Sequence, residues 1–460
     1  MLDSIEKDFE LSGGKLQEIT RRFIQDFNVG LSKYNEPMAM IPTFVTDPLP
    51  DGTEKGVFLA VDLGGTNLRI CEVHLNGDKT FSLRQKMYRV SDALKTGDAS
   101  TLFDYIAECV DAFLTVDGDY ELGDAELKLG LTFSFPVEQT ALNRGKILTW
   151  TKGFNARNSV GHDVVQLLQD AFDRKHLHVR CVALVNDTVG ALLSRAYTSG
   201  GCHLGAIFGT GTNGAYVERV DMINKLGNSE AVSRGGYMVV NTEWGAFDNA
   251  RNVLPFTSFD TKVDRQSINP RFQAFEKFIS GMYLGEITRN VLLSLVDSYP
   301  SQLFEGYSTP QLNSQWGFDT AVMSEVENTK TSGEIRNSLV KHFGFKPEVI
   351  SDEDTKTVRR VCALVANRAA KLSGVAVAAV LVQTGYAKIG GGFSEGNDPI
   401  RIGVDGSLIQ HYPGFEIHIR ESLRQIVGPE VEKRVEIGLA KDGSGVGAAL
   451  CALQASKANL

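Results

Sequence analysis

The sequence predicts an α/β protein in which two similar units form one two-lobed body, and three observations carry that expectation. Residues 58–73 and 204–217 share one plan: an apolar strand, a turn containing Gly-Thr-Asn, and a second strand. The tripeptide stands at 65–67 and again at 211–213, a spacing far beyond the roughly 20 to 50 residues of a solenoid repeat, so two related domains explain it better. Between the turns, strand-like runs at 127–135 and 179–185 alternate with helical periodicity at 164–173 and 189–197, the pattern of α/β layers. The length, 460 residues, exceeds the size at which a single hydrophobic core stops growing.

Taken in order, residues 14–33 carry Leu16, Ile19, Phe23, Phe27 and Leu31 at steps of three or four, which predicts an amphipathic helix docked on a larger body. A stretch rich in Pro, Asp, Gly and Thr, residues 42–55, reads as a loop. Val57-Phe-Leu-Ala-Val61 then reads as a buried strand. Beyond residue 217 helices dominate, the longest expected at 271–295 and 357–382, with a small strand pair around 402–409. Residues 324–354 show no clear period.

Composition excludes several classes. With 42% apolar and 22% charged residues the chain is an ordinary globular one. A net charge of -9 argues against a protein that neutralises nucleic-acid phosphates or an anionic membrane, so a polyphosphate would need local features to hold it. Six cysteines, at 71, 109, 181, 202, 362 and 451, form no CxxC pair and read as reduced, buried thiols of a reducing compartment. The acidic N-terminus, MLDSIEKDFELSGGKLQEI, has neither a secretory apolar core nor an Arg-rich transit pattern, which predicts a cytoplasmic protein. The longest apolar run, 375–382, is far short of the roughly 20 residues of a membrane span and predicts a buried core helix.

The motifs are more specific. In Asp62-Leu-Gly-Gly-Thr-Asn-Leu-Arg69 the glycines follow a strand, where backbone N–H groups can face an anion unobstructed; the segment is either a phosphate cradle or an ordinary hairpin. Gly209-Thr-Gly-Thr-Asn-Gly214 satisfies GxGxxG, but a strand-like run follows it rather than the helix of a dinucleotide fold, so a second phosphate hairpin is the better reading. No GxxxxGK[ST] occurs. Asn186 and Asp187 end an apolar strand, where α/β sheets present ligand-binding groups, and Asp187 is either a general base or a helix N-cap. Ser134, Thr151, Lys152, Glu243 and Glu286 sit beside aromatic residues or glycines, although a surface position is the default for Lys and Glu. Val404-Asp-Gly-Ser407 and Asp442-Gly-Ser-Gly-Val-Gly447 are Gly-Ser turns that either approach a nucleoside or cap helices.

In this order, Leu-Gly-Leu-Thr-Phe-Ser-Phe-Pro, Trp-Thr-Lys-Gly-Phe and Asn-Asp-Thr-Val-Gly, with two Gly-Thr hairpins and Asp-Gly-Ser-Gly, resemble the hexokinase family from Met40 onward. Ile-Phe-Gly-Thr-Gly-Thr-Asn-Gly, Glu-Trp-Gly-Ala-Phe-Asp and Ala-Lys-Asp-Gly-Ser-Gly-Val-Gly-Ala-Ala-Leu-Cys are similar to its fungal glucokinase branch. Thr242 departs from the apolar residue or Cys expected before Glu243. The length matches one catalytic unit, without the duplicated half of large vertebrate members.

The resemblance implies an actin-like ATPase (ribonuclease H-like) fold, with a small lobe at 57–190 plus 444–460, a large lobe at 1–56 plus 191–443, and the active-site cleft between them. It implies ATP phosphates at Asp62, Gly64, Gly65, Thr66 and Asn67 and at Gly209, Thr210, Gly211 and Thr212, with adenosine near Gly406, Ser407 and Ser444. Mg2+ would ride on the phosphates with no preformed metal cage. A hexose would meet Ser134, Thr151, Lys152, Asn186, Asp187, Asn213, Glu243 and Glu286; Asp187 would take the proton of the 6-hydroxyl, and Lys152 and Arg69 would offset phosphoryl charge. Glucose and other hexoses are the implied partners, with no nucleic acid or membrane, and the implied state is a monomer or weak homodimer. Rival readings are a non-catalytic sugar sensor, an actin-like filament protein, and a broad hexokinase that also uses fructose and mannose.

Overall fold

The computed structural model describes residues 2–64, 67–116, 126–150, 153–300, 302–392 and 398–458. Among these residues the strands in chain order are β1 (Ile41–Thr46), β2 (Lys55–Leu63), β3 (Asn67–Asn76), β4 (Phe81–Arg89), β5 (Leu127–Phe133), β6 (Val137–Ala141), β7 (Arg144–Ile147), β8 (Val179–Val185), β9 (Leu204–Phe208), β10 (Thr212–Arg219), β11 (Tyr237–Asn241), β12 (Ile400–Asp405) and β13 (Val435–Leu439). One sheet has the order β4-β3-β2-β5-β8, a second β1-β11-β10-β9-β12-β13, and β6-β7 form a separate hairpin.

The two large sheets repeat one topology. Each begins with an antiparallel meander, β2-β3-β4 or β9-β10-β11. Each then adds two parallel strands beside the meander's first, β5 and β8 in one and β12 and β13 in the other. The repeated Gly-Thr-Asn is thus the visible part of a duplication of whole five-stranded units, to which the second sheet adds β1 at its edge.

Two helices are exchanged between the sheets. The Asp187–Ser199 helix leaves β8 of the first sheet but packs on β9, β10 and β12 of the second; the Gly443–Lys457 helix leaves β13 but packs on β2, β5 and β8 of the first. They also pack on each other, and glycine is required where they meet: a Cβ on Gly447 would lie 2.2 Å from the Gly190 Cα, and one on Gly190 2.5 Å from the Gly443 carbonyl oxygen. The apolar cluster around them takes Ala60 and Val182 from one sheet, Ala215 and Val239 from the other, and Leu192 and Val446 from the helices.

The predicted N-terminal helix is present as Gly13–Ser32, its five periodic apolar residues are all buried, and Ser12 caps it. Phe23 stacks on Phe247 at 4.1 Å and meets Phe275 and Trp244 edge-on at 5.1 and 6.5 Å.

Four expectations are corrected. The expected loop at 42–55 begins within β1, whose Pro42 is tolerated because β1 is an edge strand. The single helix at 271–295 is two, Ala274–Ile279 and Gly281–Val296, broken at Ser280 by its extended backbone, ψ 149. The strand pair around 402–409 is one strand, β12, followed by the short Ser407–His411 helix; the neighbours of β12 are β9 and β13. The unreadable 324–354 holds the end of the Thr320–Asn328 helix and the Ser332–Phe343 helix, whose capping box pairs Thr331 with Glu334. Among the described residues one helix, Asp352–Gln383, is long and apolar enough to cross a membrane, and its most apolar window is 83% buried inside the protein, as a core helix requires. All six cysteines are buried and free.

Candidate active site

Strand register brings the motifs together. Across the first sheet Asp62 stands opposite Thr132 and Thr132 opposite Val185. The residues just beyond these parallel strands, the Gly64 turn, Ser134 and Asn186-Asp187, therefore emerge on one edge. In the second sheet Val404 stands opposite both Ala206 and Leu439, so the Gly209–Thr212 turn, Gly406-Ser407 and Asp442 emerge together in the same way. Such carboxyl-terminal edges are where α/β sheets bind ligands.

The first turn is closed by the Gly64 N–H donating to the Asn67 carbonyl at 3.1 Å; Gly65 and Thr66 lie outside the described residues. The second is closed by Gly209 N–H to the Gly211 carbonyl at 3.0 Å and braced from behind, where the N–H groups of Gly281 and Met282 donate to the carbonyls of Gly209 and Thr210 at 2.7 and 3.2 Å. Gly209 also abuts the next turn, since a Cβ there would lie 3.1 Å from Gly406 Cα. Beside this turn opens a cavity of about 570 Å³ lined by Thr210, Met282, Trp316, Ser407, Leu408 and Tyr412 among others. Ser407 and Thr210 thus line one cavity. Ser444 stands against the first sheet: it is near enough to Asp62 to favour its charged form, and its carbonyl accepts from Thr132 Oγ1 at 2.8 Å.

Four carboxylates and one arginine gather between the turns. Arg69 stands opposite Asp62 in the β2-β3 ladder and pairs with it at 3.1 Å, while its other terminal nitrogen lies 3.5 Å from Asp442. Burial raises the Asp62 carboxyl above the usual range; Arg69 opposes the shift and the charge of Asp187 adds to it. Burial likewise raises Asp405, against the N–H of Gly406 at 2.7 Å and the Gln410 amide at 2.5 Å, and Asp187 again adds. Asp187 is therefore within electrostatic reach of both groups. Both residues serve the helix start: the N-cap is Asn186, whose Oδ1 accepts from Thr188 N–H and Oγ1 at 3.0 and 2.7 Å, while Asp187 is the first helical residue and its Oδ1 accepts from the same N–H at 2.8 Å.

On the second sheet, Asn213 and Asn241 both donate to Glu243 Oε1, at 3.2 and 2.8 Å. Glu243 holds a left-handed backbone (φ 54), an uncommon conformation for a non-glycine residue and one that clusters at functional sites. Thr242 has a job there that an apolar residue could not do: its hydroxyl donates to the Gly214 carbonyl at 2.8 Å and accepts from Trp244 N–H at 3.2 Å. Trp244 in turn donates to Thr212 Oγ1 at 3.0 Å. Thr151 and Lys152 lie outside the described residues; the flanking Trp150 and Phe154 stack at 5.4 Å and pack on Phe135, next to the half-buried Ser134.

Glu286 is not brought to this group. Its carboxylate is 1% exposed and fully engaged: Arg289 donates to both oxygens at 2.6 and 2.8 Å, Asn290 to one at 3.2 Å and Trp316 N–H to the other at 2.7 Å. It builds the cavity wall through Trp316. The glutamate at the site is Glu276, whose Oε2 accepts from Thr212 N–H at 3.1 Å and would lie 2.8 Å from a Cβ on Gly211. Gln273 flanks it with a left-handed backbone (φ 54) and a buried Oε1 that has no hydrogen-bond partner, close against Gly245. Sequence reasoning missed Asn241, Gln273 and Glu276. The available signal for Glu276 was its place one residue past Phe275 in an apolar run, which is weak.

The hexokinase family's sequence profiles match residues 1–197 and 203–454. The chain belongs to the hexokinase family. It is 44% identical to a glucokinase of Aspergillus niger over 98% of this chain and 96% of that one, and 39% identical to glucokinase-1 of Saccharomyces cerevisiae over 99% and 97%. It is 38% identical to hexokinase-2 of Schizosaccharomyces pombe over 98% and 96%. A solved hexokinase from Schistosoma mansoni complexed with glucose superposes with a TM-score of 0.84 at 35% identity, covering 99% of this chain and 98% of that one. As a family member the chain is a hexose kinase with the two-lobed α/β fold of that family.

Proposed function

We propose that this hexose kinase transfers the γ-phosphoryl group of ATP to the 6-hydroxyl of D-glucose, forming glucose 6-phosphate and ADP in the cytoplasm, the first step of glycolysis. The observation that carries the reading is Asp187. It stands on the carboxyl-terminal edge of the first sheet, where the Gly64 turn also emerges; Asn186 is the N-cap, and Asp187 commits Oδ1 to Thr188 N–H at 2.8 Å, which leaves its second carboxylate oxygen for chemistry. Asp187 takes the proton as the 6-hydroxyl oxygen attacks phosphorus, a role worth roughly 10² to 10⁴ in rate. Arg69 and Lys152 offset the charge spread over the phosphoryl oxygens, and the rest of the task is positioning.

Asn213, Glu243 and Glu276 would orient the sugar, with Ser134, Thr151, Lys152 and Asn186 completing its surroundings. The cavity beside Thr210 and Ser407 would take the nucleoside, and the backbone of the two turns the phosphates. Burial raises Asp62 and Asp405 and the charge of Asp187 adds to both shifts, a cluster of carboxylates that fits a site receiving magnesium, which would supply positive charge to the phosphates. The lobes divide near 190 and 443, where the exchanged helices begin. The net charge of -9 supports partners limited to hexoses and nucleotide, and we take the protein to act as a monomer or weak homodimer.

The test is a coupled assay with ATP and Mg2+ across glucose, mannose and fructose. Glucose and mannose are expected to far exceed fructose in kcat/KM, as the two glucokinase relatives suggest. No turnover with any hexose would mean a sugar sensor, and equal constants for glucose and fructose a broad hexokinase.

A further inference from the structure

We propose that Asp442 is a positioning residue: it holds Arg69 in register with the base Asp187, so that the charge-offsetting guanidinium and the proton acceptor address the same phosphoryl group. The proposal rests on the roles given to Arg69 and Asp187 above.

Asp442 begins the Gly443–Lys457 helix with a left-handed backbone (φ 47, ψ 45), and its side chain makes no capping hydrogen bond. A non-glycine residue in that conformation costs of order 1–3 kcal/mol, and here the side chain does not recover it by serving the helix. It points instead to Arg69, 3.5 Å away. Arg69 belongs to β3 and is already paired with Asp62 on its own sheet, whereas Asp442 arrives from the far end of the chain, after β13 of the other sheet. Carboxylates therefore hold the guanidinium from two directions, and Gln85 Oε1 of β4 accepts at 3.4 Å from the nitrogen that faces Asp442.

The segment that carries Asp442 is itself clamped to the helix that carries Asp187. Ser194 of that helix donates to the Lys441 carbonyl at 2.6 Å. Gly443 lies so close that a Cβ on it would come within 3.0 Å of Ala191 Cα. The next residue, Ser444, lies near enough to Asp62 to favour its charged form. Three consecutive residues thus reach Arg69, the base's helix and the partner of Arg69, and of these contacts only that of Asp442 is made by a charge on the arginine. A fork of donors held by two carboxylates keeps one orientation, which a single pair does not impose.

The experiment is a double-mutant cycle on the full chain with Asp442→Asn and Arg69→Ala, reading kcat, KM for glucose and the thermal midpoint. Asn accepts the left-handed backbone, so Asp442→Asn removes the charge and keeps the turn. Expected is an approximately tenfold loss of kcat, about 1.4 kcal/mol of barrier, with KM for glucose within twofold and an unchanged midpoint. In the Arg69→Ala background, itself reduced by about 10² to 10³, the same substitution should cost nothing further. An equal loss in both backgrounds, or a fall in midpoint that accompanies the loss of kcat, would overturn the positioning role and leave Asp442 structural. An unchanged kcat for Asp442→Asn beside a crippled Arg69→Ala would overturn it as well while sparing the role of Arg69; an unaffected Arg69→Ala would overturn both.

Discussion

Replacing Asp187 by Asn removes one negative charge and the capacity to accept a proton, and changes little else. In the protein Asp187 Oδ1 accepts from Thr188 N–H at 2.8 Å, but Asn186 Oδ1 accepts from the same N–H at 3.0 Å, and an Asn oxygen at 187 still accepts. The structural cost is the loss of a favourable charge at a helix N-terminus, about 0.3–1 kcal/mol, partly offset because Asp62 and Asp405 lose a like-charged neighbour. For a chain this long that moves the unfolding midpoint by no more than about 2–4 °C. The chemical cost is the general-base contribution, about 10² to 10⁴ in kcat, or roughly 3–5 kcal/mol at 1.36 kcal/mol per decade. Barrier and stability should therefore part company by several kcal/mol. Asn186→Ala supplies the contrast in stability, since it removes the cap at a cost of about 1 kcal/mol. A coupled assay of glucose 6-phosphate formation, with thermal unfolding on the same samples, reads both quantities. Turnover of Asp187→Asn within a few-fold of wild type, or a loss of activity matched by a loss of fold, would refute the assignment.

The two glutamates should behave oppositely. Glu276→Gln is expected to lower kcat/KM for glucose about ten- to hundredfold in a protein of normal stability, whereas Glu286→Gln leaves Arg289 uncompensated and should cost about 3–5 kcal/mol in urea unfolding; the reverse pattern would restore Glu286 to the sugar site. Gly447→Ala forces a methyl group to within 2.2 Å of Gly190 Cα and should destabilise by at least about 1–3 kcal/mol, so an unchanged denaturation midpoint would mean that the helices do not meet there. Lys225 donates to the carbonyls of Gly30 and Ala39 at 2.8 and 2.6 Å, and burial lowers its ammonium to about 8. Between that pH and the unfolded value near 10.5 the unfolded chain binds the extra proton, so stability from this group rises with pH. The midpoint of wild type relative to Lys225→Met should then climb from pH 8 to 10, and a flat difference would contradict the shift.

What could be read from residues alone was whatever repeats or follows a local period. The apolar strands ending in Gly-Thr-Asn disclosed the duplication, because a turn that must leave backbone N–H groups uncovered tolerates few residues. The spacing of Leu16, Ile19, Phe23, Phe27 and Leu31 disclosed the N-terminal helix, because its buried face obeys the helical period. Pro42 hid β1, whose place at a sheet edge is set by β11, some 200 residues away in sequence.

Tertiary structure decided which of several equivalent side chains does the work. Asn186 and Asp187 both suit a helix start, and only the direction in which β8 delivers them gives the cap to the first. Glu276 and Glu286 both lie in apolar, helix-forming sequence; the break at Ser280 separates their helices, so that one carboxylate meets the Gly211-Thr212 turn and the other is buried against Arg289. Ser444 and Asp442 likewise reach Asp62 and Arg69 only because a helix that follows one sheet packs on the other. Local pattern reports which atoms a segment must bury or expose, whereas the partner of a buried charge is fixed by chain segments far away in sequence, and no period in either segment records it.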